Sequence, residues 1–403
     1  MKCNLDLLNM YYQELEQSSR GNLDRAIEKI IEVKKKNGKI MIVTGSGPNI
    51  HEGVTVLISE LMDKEIINSV STSSAVIAHE MAGSLDKVKR VKADKLGFKP
   101  GSNFLPRGDI FEFTQIKDSD LENLRKELVL NEELLKKSKS IDGDVIIKAA
   151  GNMAYPMGFR TEILSREILN IAQTYNLPFE EVAGWGADKR TMIGKGAEKG
   201  FPVIVSVPQL VGGGAVGLSI GDSISVSERS MRIARMLEQS DIIIESAVAL
   251  TQEIHDGPFE CYTGHGIWSH WIGFRTYSLK EKTIIRIDLD KQLMKAKLMQ
   301  NENNKIQEAI DKGLPKTKIT GIPFRMEMSA FARHENSIPI VGDIGKIWPI
   351  MACKVADELG ISLDFLSYPQ ESEEGKRMRE WIVEYVKPID RKKLLQRAQQ
   401  YKL

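Results

Sequence analysis

Cysteine is scarce. The chain holds three, Cys3, Cys261 and Cys353, so widely separated that neither a disulfide framework nor a cysteine-rich zinc site is expected. An excess of charge is also lacking: 56 Lys and Arg against 55 Asp and Glu leave +1, which offers no field for nucleic acid or an anionic membrane. Lysine groups at 34–36 and 87–99 read as a solvated helix end and a surface loop. Long apolar runs are missing. No window reaches the roughly 20 residues of a bilayer-spanning helix, and polar residues interrupt the N-terminus where a signal peptide would be apolar. A cytoplasmic protein in a reducing compartment is expected. No internal repeat, low-complexity tract or strong linker stands out. What remains is the composition of a soluble enzyme, 42% hydrophobic and 28% charged over 403 residues, enough for two or three domains or one large α/β body.

The stretch 39–79 organises the rest. Ile40, Met41, Ile42 and Val43 form an apolar strand, and Thr44, Gly45, Ser46, Gly47, Pro48 and Asn49 form a tight polar turn. Val54, Leu57, Ile58 and Leu61 then recur at helical spacing. A second apolar segment, 66–70, ends in Ser71, Thr72, Ser73 and Ser74, and a second helix carries His79 and Glu80. Strand, turn and helix repeated in this way imply parallel strands with crossovers. Ligands in such sheets bind beyond the carboxyl ends of the strands, where both small-residue turns fall.

Helices are expected over 4–37, closing at Gly38, and one charged helix over 121–137. Further strands are expected at 144–150, 201–207, 241–247, 283–287 and 339–341, with 201–207 as the clearest central strand because it is apolar on both faces. The architecture that follows is α/β: a three-layer, Rossmann-like, mostly parallel sheet of six to eight strands with peripheral helices. The expected division is an N-terminal helical segment (1–38), a cofactor-binding and catalytic body (39–360) and a C-terminal helical tail (361–403).

Several residues can carry chemistry. The Gly45–Ser46–Gly47 turn and Asn49 offer backbone N–H groups to phosphate or ribose oxygens, although neither the three-glycine dinucleotide fingerprint nor a Walker loop is present. Ser73 and Ser74 make an equivalent hydroxyl-rich turn. His79 is a proton-transfer candidate, and His255 is a second. Gly212–Asp222 reads as a substrate-side wall, with Asp222 able to hold a ribose hydroxyl or an ammonium group. Asp288 and Asp343 follow strands, where an acid commonly holds ribose, and Gly342 and Gly345 flank Asp343. His255, Asp256, Cys261, His265 and His270 invite a metal hypothesis, which their spacing does not support, and no metal is assigned. Trp268, Trp271 and Phe274 either stack a flat ring or belong to the core.

The order of elements resembles the deoxyhypusine-synthase-like NAD-binding fold, and with it the C-terminal NAD-binding domain of archaeal-type ornithine cyclodeaminases. The likeness is carried by Gly-Ser-Gly-Pro-Asn at 45–49, Ser-Thr-Ser-Ser-Ala-Val-Ile-Ala-His-Glu at 71–80, Gly-Phe-Pro-Val at 200–203, Gly217 with Gly221 and Asp222, 285–288, and Gly-Asp-Ile-Gly at 342–345. It implies NAD contacts at 46–49 and 73–74, with Asp288 and Asp343 beside the adenosine half. It also implies that Glu80 lies near the nicotinamide and that Asp222 faces substrate. The lysine-bearing Trp-Gly-Lys segment of deoxyhypusine synthases is absent between Asp290 and Pro339, which argues against that reaction. The stretch before the first strand is shorter than the extra domain of the cyclodeaminases. The expected function is an NAD-dependent enzyme moving a hydride to or from an amine or amino-acid-like small molecule, in a homodimer or homotetramer. A metal-assisted hydrolase or lyase on the same scaffold, or a non-catalytic nucleotide-binding protein, stands as the alternative.

Overall fold

The computed structural model describes residues 4–97, 110–151, 153–210, 212–247, 277–314, 321–322 and 334–401. The described residues contain nine strands: β1 (Ile40–Thr44), β2 (Ser69–Thr72), β3 (Leu85–Lys92), β4 (Ile110–Thr114), β5 (Asp144–Ala149), β6 (Val203–Val205), β7 (Ile242–Ser246), β8 (Thr283–Asp288) and β9 (Ser337–Val341). Six of them form one parallel sheet in the order β6-β2-β1-β7-β8-β9. Counting only these six along the chain, the order is 3-2-1-4-5-6, that of the doubly wound dinucleotide-binding sheets. The direction of winding reverses between β1 and β7, and a crevice opens at such a switch point.

The apolar runs follow from burial on both faces. Ile40 and Ile42 join Ile244, Ile285, Ile287, Ile338 and Ile340 in one core. Met41 and Val43, pointing the other way at the two-residue period of a strand, join Ile243 and Ile284 in a second. The first core is closed by the helices Leu5–Glu14, Gln17–Lys35, Val54–Asp63 and Ile344–Glu358. The helix Gln17–Lys35 also covers the free edge of β9. Ser19 Oγ, Asn22 Nδ2 and Arg25 Nη2 donate to the carbonyls of Val341, Pro339 and Ser337 at 2.8, 2.7 and 3.5 Å. These are alternate carbonyls of one strand, so the edge offers little to another chain. Its position at the edge is also why Pro339 is tolerated there.

Three strands depart from the expected parallel body. β3, β4 and β5 form a separate antiparallel sheet, in the order β4-β3-β5, inserted between β2 and β6. The lysines at 87–92 that read as a loop are the half-exposed residues of β3, whose burial alternates irregularly. The segment 201–207 is a three-residue edge strand, because helices, not further strands, cover its other side. The single helix expected over 121–137 is two, Asp118–Glu127 and Glu132–Ser140. The N-terminal helix ends at Lys35, and Asn37, at φ 60, takes the left-handed turn assigned to Gly38. The tail returns to the body: the helix Glu373–Tyr385 packs on β3 and β5, and the helix Arg391–Gln400 packs on the helix Phe179–Gly186. Gly53 shows how closely the first of these approaches, since a Cβ there would lie 2.6 Å from Met378 Sδ. Contrary to the reading of the cysteine spacing, Cys353 is disulfide-bonded; the other two cysteines lie outside the described residues. Among the described residues no helix is long and apolar enough to cross a membrane.

Candidate functional site

Parallel strands bring their carboxyl ends to one edge. Gly45, Ser73, Asp288 and Gly342 therefore line the same edge of the sheet, at the tips of β1, β2, β8 and β9. The turn after β1 is the most open of them. Gly47 is exposed at φ 71 and ψ −119, a backbone setting that disfavours a side chain, and a Cβ there would meet nothing within 4 Å. Gly45 and Ser46 are half-buried.

The structure gives most of the other expected contacts internal partners. Asn49 is fully buried. Its Nδ2 donates to the Ser246 carbonyl at 3.1 Å, Ser246 Oγ donates to Asn49 Oδ1 at 2.7 Å, and Trp348 Nε1 donates to Ser246 Oγ at 2.8 Å. This network stitches β1, β7 and the helix Ile344–Glu358 together across the switch point and closes one side of the crevice. Ser73 Oγ caps its own helix, Ser74–Met81, by accepting from Val76 N at 3.3 Å. Ser74 Oγ donates to the carbonyls of Gln209 and Gly212. The glycine run at 212–214 therefore serves close backbone packing: a Cβ on Gly213 would lie 3.0 Å from the Ser74 carbonyl. Gly342 makes room for Ile347 and Leu15, at 2.9 and 3.1 Å from its would-be Cβ. Asp343 caps the helix Ile344–Glu358 through Gly345 N at 2.9 Å, and burial pushes its pKa up. Asp288 accepts from Asp290 N at 3.2 Å and stays half-exposed.

Two expected catalytic residues lie away from the edge. Both carboxylate oxygens of Glu80 accept backbone N–H groups, Met192 N at 2.9 Å and Ile193 N at 3.0 Å, where they cap the helix Met192–Lys199. Glu80 has no exposed surface, and burial lifts its pKa to about 7. Asp222 is in the last turn of the helix Ala215–Ser223. That helix starts near the carboxyl edge and runs away from it, so Asp222 sits roughly 12 Å further on, exposed to solvent. His255, with Asp256, Cys261, His265, Trp268, His270, Trp271 and Phe274, lies outside the described residues. Glu245, on β7, is paired with Arg286 at 3.2 Å within the sheet.

His79 belongs to a cluster the sequence reading did not assemble. It is 7% exposed, and its Nδ1 lies 2.8 Å from the Ala150 carbonyl. A carbonyl only accepts, so Nδ1 carries the proton and the Nε2 lone pair remains available. Burial lowers the His79 pKa, which keeps the ring neutral. His51, directly after the open turn, is lowered by burial and then by the charges of Arg379, His79 and Lys148. Asp86, on β3, is lifted to about 7 by burial, against the hydrogen bond from Thr114 Oγ1 at 3.3 Å, the nearby Gly151 backbone and the charge of Lys148. Lys148 pairs with Glu112 at 2.5 Å. Glu52 is also lifted to about 7, by burial first and then by Asp343 and Glu371, against the Gln370 N–H, which donates to it at 2.6 Å, and the charge of Arg379. The cluster thus joins the β1 turn, the helix after β2, the antiparallel sheet and the C-terminal tail. One signal for it was available: of the chain's three His-Glu pairs, 51–52, 79–80 and 334–335, the first two follow closely on strand tips. Asp86 and Lys148 gave none, since charges on a half-exposed strand look like surface.

An open cleft of about 620 Å³ lies elsewhere, between the helix Val54–Asp63, the segment 186–190 and the tail. None of the cluster residues lines it. Its cations are mostly satisfied by neighbours, Lys195 by Asp63 and Glu198 at 3.0 and 2.7 Å and Arg190 by Asp188 at 3.3 Å.

Sheet order and strand-edge site together define a doubly wound α/β protein. No protein-family model and no curated protein matches the chain. Among solved structures it is similar, at a TM-score of 0.40 and 11% identity, to an LOR/SDH protein from Methanococcus maripaludis S2, with 86% of this chain and 70% of that one covered. It is also similar to the arginine dihydrolase ArgZ from the ornithine-ammonia cycle in cyanobacteria (TM-score 0.38, 11% identity, 85% of this chain, 32% of that one). A third is AgrE in its ternary complex with ornithine and NAD+ (TM-score 0.39, 11% identity, 86% and 34%). The chain spans about a third of the length of the latter two.

Proposed function

We propose that the chain is an NAD-dependent enzyme acting on an amine or amino-acid-like small molecule, with the dinucleotide along the carboxyl edge of the parallel sheet. One observation carries this reading. The open glycine turn at the first strand of a 3-2-1-4-5-6 sheet leads directly into His51, and the helix after the next strand carries the buried His79, whose Nδ1 donates to the Ala150 carbonyl. The turn fits a phosphate group: it is exposed, lacks side-chain bulk at Gly45 and Gly47, and presents backbone N–H groups. When bound, NAD accepts the hydride. His79 Nε2 takes the proton released from the substrate nitrogen or oxygen. Glu52, a carboxyl that exchanges its proton near pH 7, takes the place first given to Asp222 beside the substrate amine. Lys148 and Arg379 supply positive charge for a carboxylate. His255 remains a second proton-transfer group in this proposal, and a homodimer or homotetramer remains the expected assembly. The deoxyhypusine-synthase-like resemblance supplies the cofactor here and not the reaction.

The test is native mass measurement of freshly purified protein with and without added NAD. One NAD per chain is expected, and the same spectrum reads the number of subunits. Gly47→Val, which forces a branched side chain to a positive φ in the turn, should weaken binding at least about tenfold. Absence of NAD binding overturns the reading. Binding without turnover of any amine or amino acid leaves the non-catalytic alternative.

A further inference from the structure

The two sheets have four edge strands, β6 and β9 in the parallel sheet and β4 and β5 in the antiparallel one. Three of these edges are closed. At β9 the closing groups are Ser19, Asn22 and Arg25. At β6, Val205 N donates to Glu180 Oε1 at 2.7 Å, and Arg229 Nη1 donates to the Val205 carbonyl at 3.2 Å. At β4, Thr114 N donates to the Tyr155 carbonyl at 2.8 Å, and Tyr155 N donates to the Glu112 carbonyl at 2.9 Å. The β5 edge is different. Ala150 N donates to the Ser84 carbonyl in the register of the β3–β5 pair. Even-numbered residues of β5 therefore bond to β3, and Val145 and Ile147 turn their N–H and C=O groups outward. Among the described residues, the one partner of these outward groups is Arg379 Nη2, which donates to the Ile147 carbonyl; a carbonyl can accept a second bond. Val145 and Ile146, on opposite faces of the strand, are 48% and 38% exposed. An unpaired edge carrying apolar side chains is a template for another strand.

We propose that a second copy of the chain pairs along this edge, antiparallel, about a twofold axis at Ile146, joining the two small sheets into one. The strand is its own complement. It reads Asp144-Val145-Ile146-Ile147-Lys148: an acid, three apolar residues, a base. Pairing centred on Ile146 sets Val145 opposite Ile147 of the second copy, so the outward backbone groups bond each other. It also sets the exposed Asp144 opposite Lys148, and the twofold axis makes each contact twice. Centring on Val145 or on Ile147 instead sets Asp144 or Lys148 against Ile146 and loses the charge pairs. Lys148 already meets Glu112 at 2.5 Å, and an ammonium group has donors to spare. The contact ends beside the candidate site, since Ala150, two residues past Lys148, accepts from His79 Nδ1 at 2.8 Å. It gives the expected assembly a surface, and it stands whether or not NAD binds. One short strand a side falls below the roughly 800 Å² per partner of a standard interface, so the pairing is expected to dissociate on dilution.

The experiment is sedimentation velocity of the full chain without NAD, over about 1–100 µM. The wild type should gain mass with concentration. Ile146→Lys, which puts like charges together on the axis, should raise the dissociation constant at least about tenfold, or halve the mass if a second contact also holds the assembly. Asp144→Lys, which sets a like charge opposite Lys148, should act in the same direction, and its position at the exposed start of the strand spares the fold. The register has its own readout. Facing residues of a non-hydrogen-bonded pair lie about 4.5 Å apart, within reach of a disulfide. Ile146→Cys should therefore give a covalent dimer on oxidation beyond that of wild type treated alike, and Val145→Cys, which faces Ile147, should not. A wild type that stays monomeric to the highest concentration overturns the proposal. So does an assembly whose mass neither Ile146→Lys nor Asp144→Lys changes, or an Ile146→Cys variant that links no better than Val145→Cys.

Discussion

Replacing Glu80 by Gln separates a structural from a catalytic acid. Glu80 is fully buried, accepts two backbone N–H groups and titrates at about 7 instead of the usual 4.5. In the unfolded chain it loses its proton near 4.5, whereas the native state keeps it until about 7. Between these values the native state binds more protons than the unfolded one, so stability falls as pH rises through this window and levels off for this group above it. At 1.36 kcal/mol per pH unit, a shift of about 2.5 units corresponds to about 3 kcal/mol. Gln is neutral throughout and lacks this component. Urea unfolding of wild type and Glu80→Gln at pH 5, 6, 7 and 8, extrapolated to water, should give stability curves that converge or cross. Part of that is already lost at pH 5, so the wild type should lose about 2–3 kcal/mol more than the variant between pH 5 and pH 8. Glu52 and Asp86 contribute a fall of the same sign to both proteins and cancel in the difference. Parallel curves would refute the reasoning, because they would mean that Glu80 ionises in the native state as it does in water.

His79→Gln should abolish turnover while the folded chain keeps its affinity for NAD, and Asp222→Ala should leave both unchanged; steady-state kinetics and NAD titration read the contrast. Asp343→Ala removes the cap of the helix Ile344–Glu358 and should cost about 1 kcal/mol in urea unfolding. A dinucleotide reaching the β9 tip should also bind that variant more weakly. Gly345→Ala places a Cβ 2.7 Å from Glu52 Oε2 and 3.0 Å from Pro369 Cα, an overpacking that should cost about 1–3 kcal/mol, read as a lowered urea midpoint.

The parallel core was legible because it is written in side chains that have one use. Ile40–Val43, 242–244 and 283–285 are β-branched or apolar on both faces, and no solvated element accommodates such runs. Helix ends were legible to a turn or so where a capping residue stood in the right place, as at Ser73 and Asp343. The antiparallel sheet was not, because Lys87, Lys89, Arg90 and Lys92 place charge at nearly every step of β3, and a half-exposed strand with that pattern cannot be told from a loop. The site was half legible. The sequence marks small hydroxyl residues at strand tips, and a small hydroxyl residue is equally good at binding a ligand and at capping a helix. Ser73 went to the second use, because its tip is also a helix start whose N–H groups need acceptors, while Ser74 and Asn49 bond neighbouring loop and strand groups instead. Gly45, Ser46 and Gly47 have no such task, and they remain open.

What distinguishes the cluster from the other buried charges is the kind of partner each carboxyl has. Glu180 is wholly buried and meets Arg229 directly, and Glu245 meets Arg286 at 3.2 Å within the sheet. In each, a guanidinium balances the charge, and breaking such a pair leaves a buried ion; these are girders. Glu52, Glu80 and Asp86 form no ion pair with a neighbouring cation; burial outweighs the N–H and O–H donors and the more distant positive charges that oppose it, and all three rise to about 7. A carboxyl held near neutrality by burial alone can give and take a proton at working pH, which a salt-bridged one cannot. Glu80 then drops out because its two oxygens cap a helix and meet no open surface. Glu52 and Asp86 remain, one beside the β1 turn and one on the antiparallel strand β3. Chemistry on this scaffold is therefore expected between the tip of β1 and the small antiparallel sheet, beside the C-terminal helix Glu373–Tyr385, whose Arg379 donates to the Ile147 carbonyl of β5.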